Sequence, residues 1–286
     1  MSVLAVIFDY DDTLVPDSTS QLLEHNNVNI QKFWEEDFKK LAEMGYYPTH
    51  AYLKLILDYV KEGQPLEGLT NSKLREFGAV AAKKQYPGLT SLIRDLKNTV
   101  KDYQDIDIEF YIISCGLEEI IRGNSFIEKN FKAVYGCRLT GDDESDDSEL
   151  KHIKRCITFT EKTRFLFEIN KGILPDVSDK DPSAVNMSVK ERRVPFENMI
   201  YIGDGLTDIP CFSLVGEKSG MSFGIHHTDK TASVKMKIFE QILLTKRVMG
   251  TCMPRYGRGT SLGQSIRLCV QSRCNNIKLE RKSRGI

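Results

Sequence analysis

Strand-like apolar runs that end in a polar residue recur along this chain, and that recurrence limits the folds open to it. Val3 to Asp9 is a short β-rich run of the kind buried on both faces of a sheet. Ile108 to Ser114, reading IEFYIIS, and Met199 to Gly203, followed by Asp204, repeat the arrangement. Further strands are expected at Ala133 to Arg138, Ile157 to Thr160, Met221 to Ile225 and Val248 to Cys252. Between them lie helical patterns: Thr90 to Val100, Leu117 to Ser125, Glu161 to Asn170 with Gly172 as its stop, Asp208 to Val215, and Thr231 to Arg247. The alternation predicts an α/β fold, a doubly wound parallel sheet with helices on both faces. Such sheets bind ligands beyond the carboxyl ends of their strands, which is where Asp9, Ser114 and Asp204 fall.

Only one region departs from the alternation. From about Ser18 to Gln85 three helical stretches, Ile30 to Met44, Thr49 to Lys61 and Asn71 to Lys84, follow one another without a strand. A chain of 286 residues exceeds the usual single-domain size, so a second, inserted unit is expected. The expected organisation is a core domain of 1–16 and 87–286, with a helical cap domain, 17–86, inserted after the first strand. Phe33, Trp34 and Phe38 read as core of that cap. The acidic tract Gly141 to Glu149 reads as a solvated loop and Ile173 to Glu197 as a long excursion. Beyond Gly250 basic residues outnumber the single Glu280, and a disordered terminus is expected there.

Composition narrows the function. Lys plus Arg and Asp plus Glu both number 40, so no whole-chain field argues for a nucleic-acid or membrane partner. The seven cysteines lack paired zinc spacing and read as free thiols of a reducing cytoplasm. No leader and no apolar run of about 18 residues is found, so a soluble, cytoplasmic protein is expected.

Local charge is more telling. Asp9 and Asp11 stand two apart at a strand end, and Asp204 and Asp208 leave another strand through the glycines of YIGDGLTDIP. Carboxylates gathered at one rim repel each other unless a cation sits among them, and oxygen donors suit a hard divalent ion, Mg²⁺ above all, together with a phosphate.

DYDDT at Asp9 to Thr13, Ser114 closing YIIS, Lys162 in TEKT and GDGLTD at Gly203 to Asp208 resemble, in this order, the motifs of the haloacid dehalogenase superfamily of hydrolases. The resemblance runs from about residue 3 to 225, and the helical insertion lies where small-cap members carry theirs. A Gly is common in that superfamily where this chain has Asp12. The resemblance implies a Rossmann-like core, a Mg²⁺-dependent phosphatase and a small phosphorylated metabolite as substrate. Carried over position by position, it makes Asp9 the nucleophile at phosphorus and Asp11 the general acid and base. Asp9, the Asp11 carbonyl and Asp204 would hold Mg²⁺, with Asp208 supporting the metal shell. Ser114, Cys115, Gly116 and Lys162 would bind the substrate phosphate, Lys162 also neutralising the nucleophile.

Plainer readings stand beside these. Ser114 could cap the following helix, and Lys162 could be an exposed helical lysine. His226 and His227 follow a strand but lack metal-ligand spacing. A dehalogenase of the same superfamily would attack carbon and needs neither Asp11 nor a metal. A receiver-type signalling module and a catalytically silent phosphate-binding protein are the alternatives from other classes.

Overall fold

The computed structural model describes residues 1–143, 145–227, 240 and 246–283. In chain order the strands are β1 (Ser2–Phe8), β2 (Ile106–Leu117), β3 (Ala133–Thr140), β4 (His152–Arg155), β5 (Met199–Gly203), β6 (Met221–Ile225) and β7 (Gly250–Cys252). They form one seven-stranded sheet in the order β4-β3-β2-β1-β5-β6-β7. All pairings are parallel except that of β4 on β3. This is a Rossmann-like α/β sheet with β1 at its centre, and a central place suits a strand whose residues Val3 to Phe8 are all apolar and buried. The chain builds outward from β1 through β2 to β4, then crosses to β5 on the other side. The carboxyl end of β1 is therefore the switch point where such sheets bind ligands.

Alternation along β1 separates two cores. Val3, Ala5 and Ile7 face α8 (Glu161–Lys171) and α10 (Ile209–Glu217) through Phe165, Leu166, Ile169, Phe212 and Val215. Leu4, Val6 and Phe8 face α5 (Leu89–Lys101) and α11 (Ser261–Ser283). The basic C-terminal stretch is thus an ordered helix, not a disordered tail. Ile266, Val270 and Ile277 are buried against the sheet and α5. Each such side chain contributes about 1.5–3 kcal/mol, more than exposed like charges on the other face of the helix take away.

The insertion is helical, as its periodicity predicts. It carries α1 (Ser18–His25), a π-helical segment (Lys32–Phe38) running into α2 (Lys39–Glu43), then α3 (Pro48–Val60) and α4 (Asn71–Ala81). It opens and closes at one point, where Tyr86 N–H donates to the Leu14 carbonyl at 2.9 Å. Phe33 is buried among Trp34 and Tyr59, whereas Trp34 is half-buried and donates from Nε1 to Ser20 Oγ at 2.8 Å. The apolar side chains of the insertion belong to the same cluster as Tyr111, Ile113, Leu117 and Ile120 of the sheet layer. Its last helix docks on α6 (Glu118–Arg122) through glycines: a Cβ on Gly78 would stand 2.1 Å from the Ile120 carbonyl oxygen.

Several expected boundaries shift. The acidic tract is not merely solvated. Asp146 pairs with Arg75 and accepts from Ser72 N–H, Glu149 accepts from Gly68 N–H, and together they tie α4 down. β2 runs past Ser114 to Leu117, and the helix expected at Leu117 to Ser125 is divided into α6 and α7 (Ser125–Asn130). The strand expected at Ile157 to Thr160 lies earlier, as β4, where it pairs antiparallel with β3. The excursion holds a short α9 (Pro175–Ser178) and is fastened by Arg138 and Arg155 to Asp179. The last strand is shorter than expected, Gly250–Cys252. Apart from 240, 246 and 247, the helix expected over Thr231 to Arg247 lies outside the described residues. Among the described residues no helix is long and apolar enough to cross a membrane.

Candidate functional site

Asp9 directly follows β1, Asp204 directly follows β5, and Asp208 closes the turn between β5 and α10. Carboxylate oxygens of these three residues lie within 4.8 Å of one another. Lys162, in the first turn of α8, is fully buried and reaches into the same space. Its Nζ lies 2.9 Å from Asp9 Oδ2 and 2.7 Å from Asp208 Oδ1. That contact removes the exposed-lysine reading. Burial works against its charge, but the carboxylates of Asp208 and Asp9 outweigh it and hold the ammonium well above its ordinary range.

Three acids sharing one ammonium remain short of positive charge. Burial raises Asp9 to about 6, with Lys162 pulling down and Asp208 pushing up. Burial, then the charges of Asp9 and Asp208, raise Asp204 well above the usual carboxylate range. The oxygens of Asp208 are already engaged. Oδ1 accepts from Lys162 and from the Tyr201 hydroxyl at 2.7 Å, and Oδ2 accepts from Gly205 N–H at 3.1 Å. Asp208 is therefore placed to brace Lys162 and the turn, while Asp204, half-buried, has oxygens to offer. The donor set is hard oxygen, which fits Mg²⁺.

Asp11 stands apart from that triad. Its Oδ1 accepts from Ser18 N–H at 2.7 Å, and its Oδ2 lies where a Cβ on Gly116 would come within 2.3 Å. A side chain at 116 would therefore push the Asp11 carboxylate aside. Burial first, then the charge of Asp17, raises Asp11 to about 8 against the opposing hydrogen bonds of Ser18. Burial thus favours the protonated form more strongly at Asp11 than at Asp9, the ordering that acid catalysis by a carboxyl group needs. Asp12 sits at φ 52°, in the left-handed region, which Asp adopts more readily than most non-glycine residues.

Ser114 is buried where β2 loses its regular register with β3, between Ile113 and Leu117. It does not cap α6, whose first turn has no side-chain cap. Its Oγ accepts from Gly116 N–H at 3.0 Å, leaving the hydroxyl proton to donate. Gly116 N–H is thereby engaged within the turn. The Cys115 carbonyl accepts from the Tyr52 hydroxyl of α3 and from the Cys137 thiol. His227 reaches the first turn, its Nε2 2.7 Å from the Asp12 carbonyl oxygen.

Tyr201, Tyr52, Ser18 and Cys137 complete these contacts and escape sequence reasoning. Each reads there as an ordinary strand or helix residue, and only the alternation that turns Tyr201 inward could have hinted at one of them.

A scan of known protein families finds no match to this chain. An uncharacterized protein of Borreliella burgdorferi is 27% identical over 285 residues, covering 91% of this chain and 94% of that protein. A solved structure, the gene product AF1437 from Archaeoglobus fulgidus, aligns at 12% identity with a TM-score of 0.42, over 98% of this chain and 84% of its own.

Proposed function

We propose that the chain is a Mg²⁺-dependent phosphomonoester hydrolase that works through an aspartyl-phosphate on Asp9. One observation carries the reading: Asp9, Asp204 and Asp208 meet at the switch point of the sheet with Lys162 as their one cation among the described residues. Fully ionised, that cluster lacks two positive charges, the charge of one divalent ion. Asp9, Asp204 and the Asp11 carbonyl would hold it, and the bound ion would polarise a phosphoryl group.

The chain's own groups divide the rest of the chemistry. Asp9, held by Tyr10 N–H at 2.7 Å and by Lys162, presents a fixed carboxylate to phosphorus. Lys162 neutralises charge there, and the Ser114 hydroxyl donates to a phosphoryl oxygen. Asp11 gives its proton to the departing alcohol oxygen and then takes one from the water that splits the acyl phosphate. The helical insertion meets the site through Ser18 and Tyr52, and closing over a substrate it would exclude bulk water. A small phosphorylated metabolite is the substrate class, and the cytoplasm is the place proposed for it. The dehalogenase reading is weaker because a buried carboxyl group at Asp11, raised above its ordinary value, has no task in attack on carbon.

The test is phosphate release from p-nitrophenyl phosphate and a panel of metabolite phosphomonoesters with Mg²⁺ or EDTA. Turnover that needs Mg²⁺ and disappears in Asp9→Asn supports the reading. Metal-independent turnover, or turnover that survives Asp9→Asn, refutes it.

A further inference from the structure

A thiol cluster lies directly behind the turn that follows Ser114. Cys137, buried on β3, donates from Sγ to the Cys115 carbonyl at 3.2 Å and accepts from Ile157 N–H at 3.2 Å. Cys156 is one residue beyond β4, between Arg155, which pairs with Arg138, and Ile157, whose N–H reaches the Cys137 sulfur, so the two cysteines are neighbours at this sheet edge. Cys137 is also the neighbour that lowers the pKa of Cys156, against its burial. Cys156 is half-buried, and its Sγ lies 3.6 Å from Nδ1 of the exposed His50 on α3. Both thiols are free.

We propose that Cys156 and Cys137 form a peroxide-responsive dithiol, and that closing it into a disulfide releases the Ser114–Gly116 turn. The Cys156 thiolate, its proton passed to His50 or water, attacks one oxygen of hydrogen peroxide. The O–O bond breaks, a sulfenic acid forms, and the departing hydroxide takes up a proton as water. Cys137 sulfur then attacks the sulfenic sulfur, and the hydroxyl leaves with the Cys137 proton as a second water. Two thiols are oxidised to one disulfide and one peroxide is reduced to two waters. Cys137 then has no proton to donate, and the Cys115 carbonyl loses the thiol while the Tyr52 hydroxyl stays. The half-buried Cys156 receives the oxidant and the buried Cys137 resolves it.

The effect on turnover rests on the phosphatase reading, but disulfide formation and release of the turn do not. The full chain is treated with hydrogen peroxide, alkylated, and mapped by mass spectrometry, with deuterium uptake followed in peptides covering 112–117. The expected result is a Cys137–Cys156 cross-link reversed by dithiothreitol, with faster uptake in those peptides while it persists. Cys156→Ser should give no cross-link. Cys137→Ser should leave a sulfenic acid on Cys156 that a dimedone probe labels. Turnover of p-nitrophenyl phosphate should fall on oxidation and recover with dithiothreitol. Oxidation without this cross-link, a link between other cysteines, or a cross-link that leaves uptake at 112–117 unchanged overturns the proposal. If the reduced protein has no phosphatase activity, the phosphatase reading fails, while cross-link and uptake still decide this one.

Discussion

Lys162 binds Asp9 and Asp208 at once, its Nζ 2.9 Å from Asp9 Oδ2 and 2.7 Å from Asp208 Oδ1, with all three side chains buried. A single ammonium thus links the residue after the central strand to the turn after β5. Removing one member of a buried ionic group leaves the others uncompensated, which typically costs about 3–5 kcal/mol.

Lys162→Met is therefore expected to lower stability by about 3 kcal/mol and to reduce turnover about 10²–10³-fold. Adding Asp208→Asn to it should restore part of the stability, because one unpaired charge disappears with it. Denaturant unfolding of both single variants and the double variant measures the coupling. Additive losses would remove the direct Lys162–Asp208 interaction from the account.

Asp204 should behave in the opposite sense. Its carboxylate is held against neighbouring negative charge, so in EDTA Asp204→Asn is expected to stabilise the protein by about 1 kcal/mol, a rise in Tm of about 2–4 °C. The same change should abolish the rise in Tm that Mg²⁺ gives the unaltered chain. Thermal melts with and without Mg²⁺ read both effects. A variant less stable in EDTA, yet still stabilised by Mg²⁺, would contradict the assignment.

The pH dependence follows from two raised carboxyl groups. Asp11, raised to about 8, carries its proton below that pH, so kcat for substrates with poor leaving groups should fall as pH rises through about 8. Asp9, raised to about 6, must be ionised to attack, so kcat/KM should fall as pH drops through about 6 or lower, since a bound cation favours its charged form. Asp11→Asn should lose the alkaline limb along with about 10²–10⁴ of the rate on alkyl phosphates. An unchanged alkaline limb in that variant would assign the proton to another group.

Asp95 holds the C-terminal helix. Hydrogen bonds from Arg258 first, then from Arg267, outweigh its burial and keep its pKa well below the ordinary value. Arg258 is 76% exposed and Arg267 17%, so solvent screening weakens the first contact and the second carries more of the tie. Because the folded pKa is depressed, this stability is present above the unfolded value of about 3.9 and is lost as pH falls through the folded one. Asp95→Asn should lower Tm at pH 7 and flatten the acid limb of Tm against pH. Equal acid sensitivity in both proteins would dismiss the tie.

Much of the fold was legible because strands buried on both faces announce themselves as apolar runs; Met199–Gly203 and Met221–Ile225 fall where they were expected. The site was legible where a turn must carry charge at a strand end, as at Asp9 and Asp204. What failed did so for physical reasons. In α11 the spacing Leu262, Ile266, Val270, Cys274 and Ile277 is helical and buried, yet the basic residues around it suggested a tail. The acidic tract looked solvated because its partners, Arg75 and the backbone at 68–72, are distant in sequence. Tyr201 and Tyr52 could not be placed at the site, since periodicity gives a face and not the atom a hydroxyl will meet.

Covalent capture of the phosphoryl group on Asp9 tests the central claim most directly. p-Nitrophenol needs little help in leaving, so Asp11→Asn should be phosphorylated readily but hydrolysed slowly. Mixed rapidly with p-nitrophenyl phosphate and Mg²⁺, it should release a burst of nitrophenol equal to the protein present. Acid quenching at that moment should then yield a peptide bearing one phosphoryl group on Asp9. Steady turnover with no burst and no phosphoryl group on Asp9 would contradict the account.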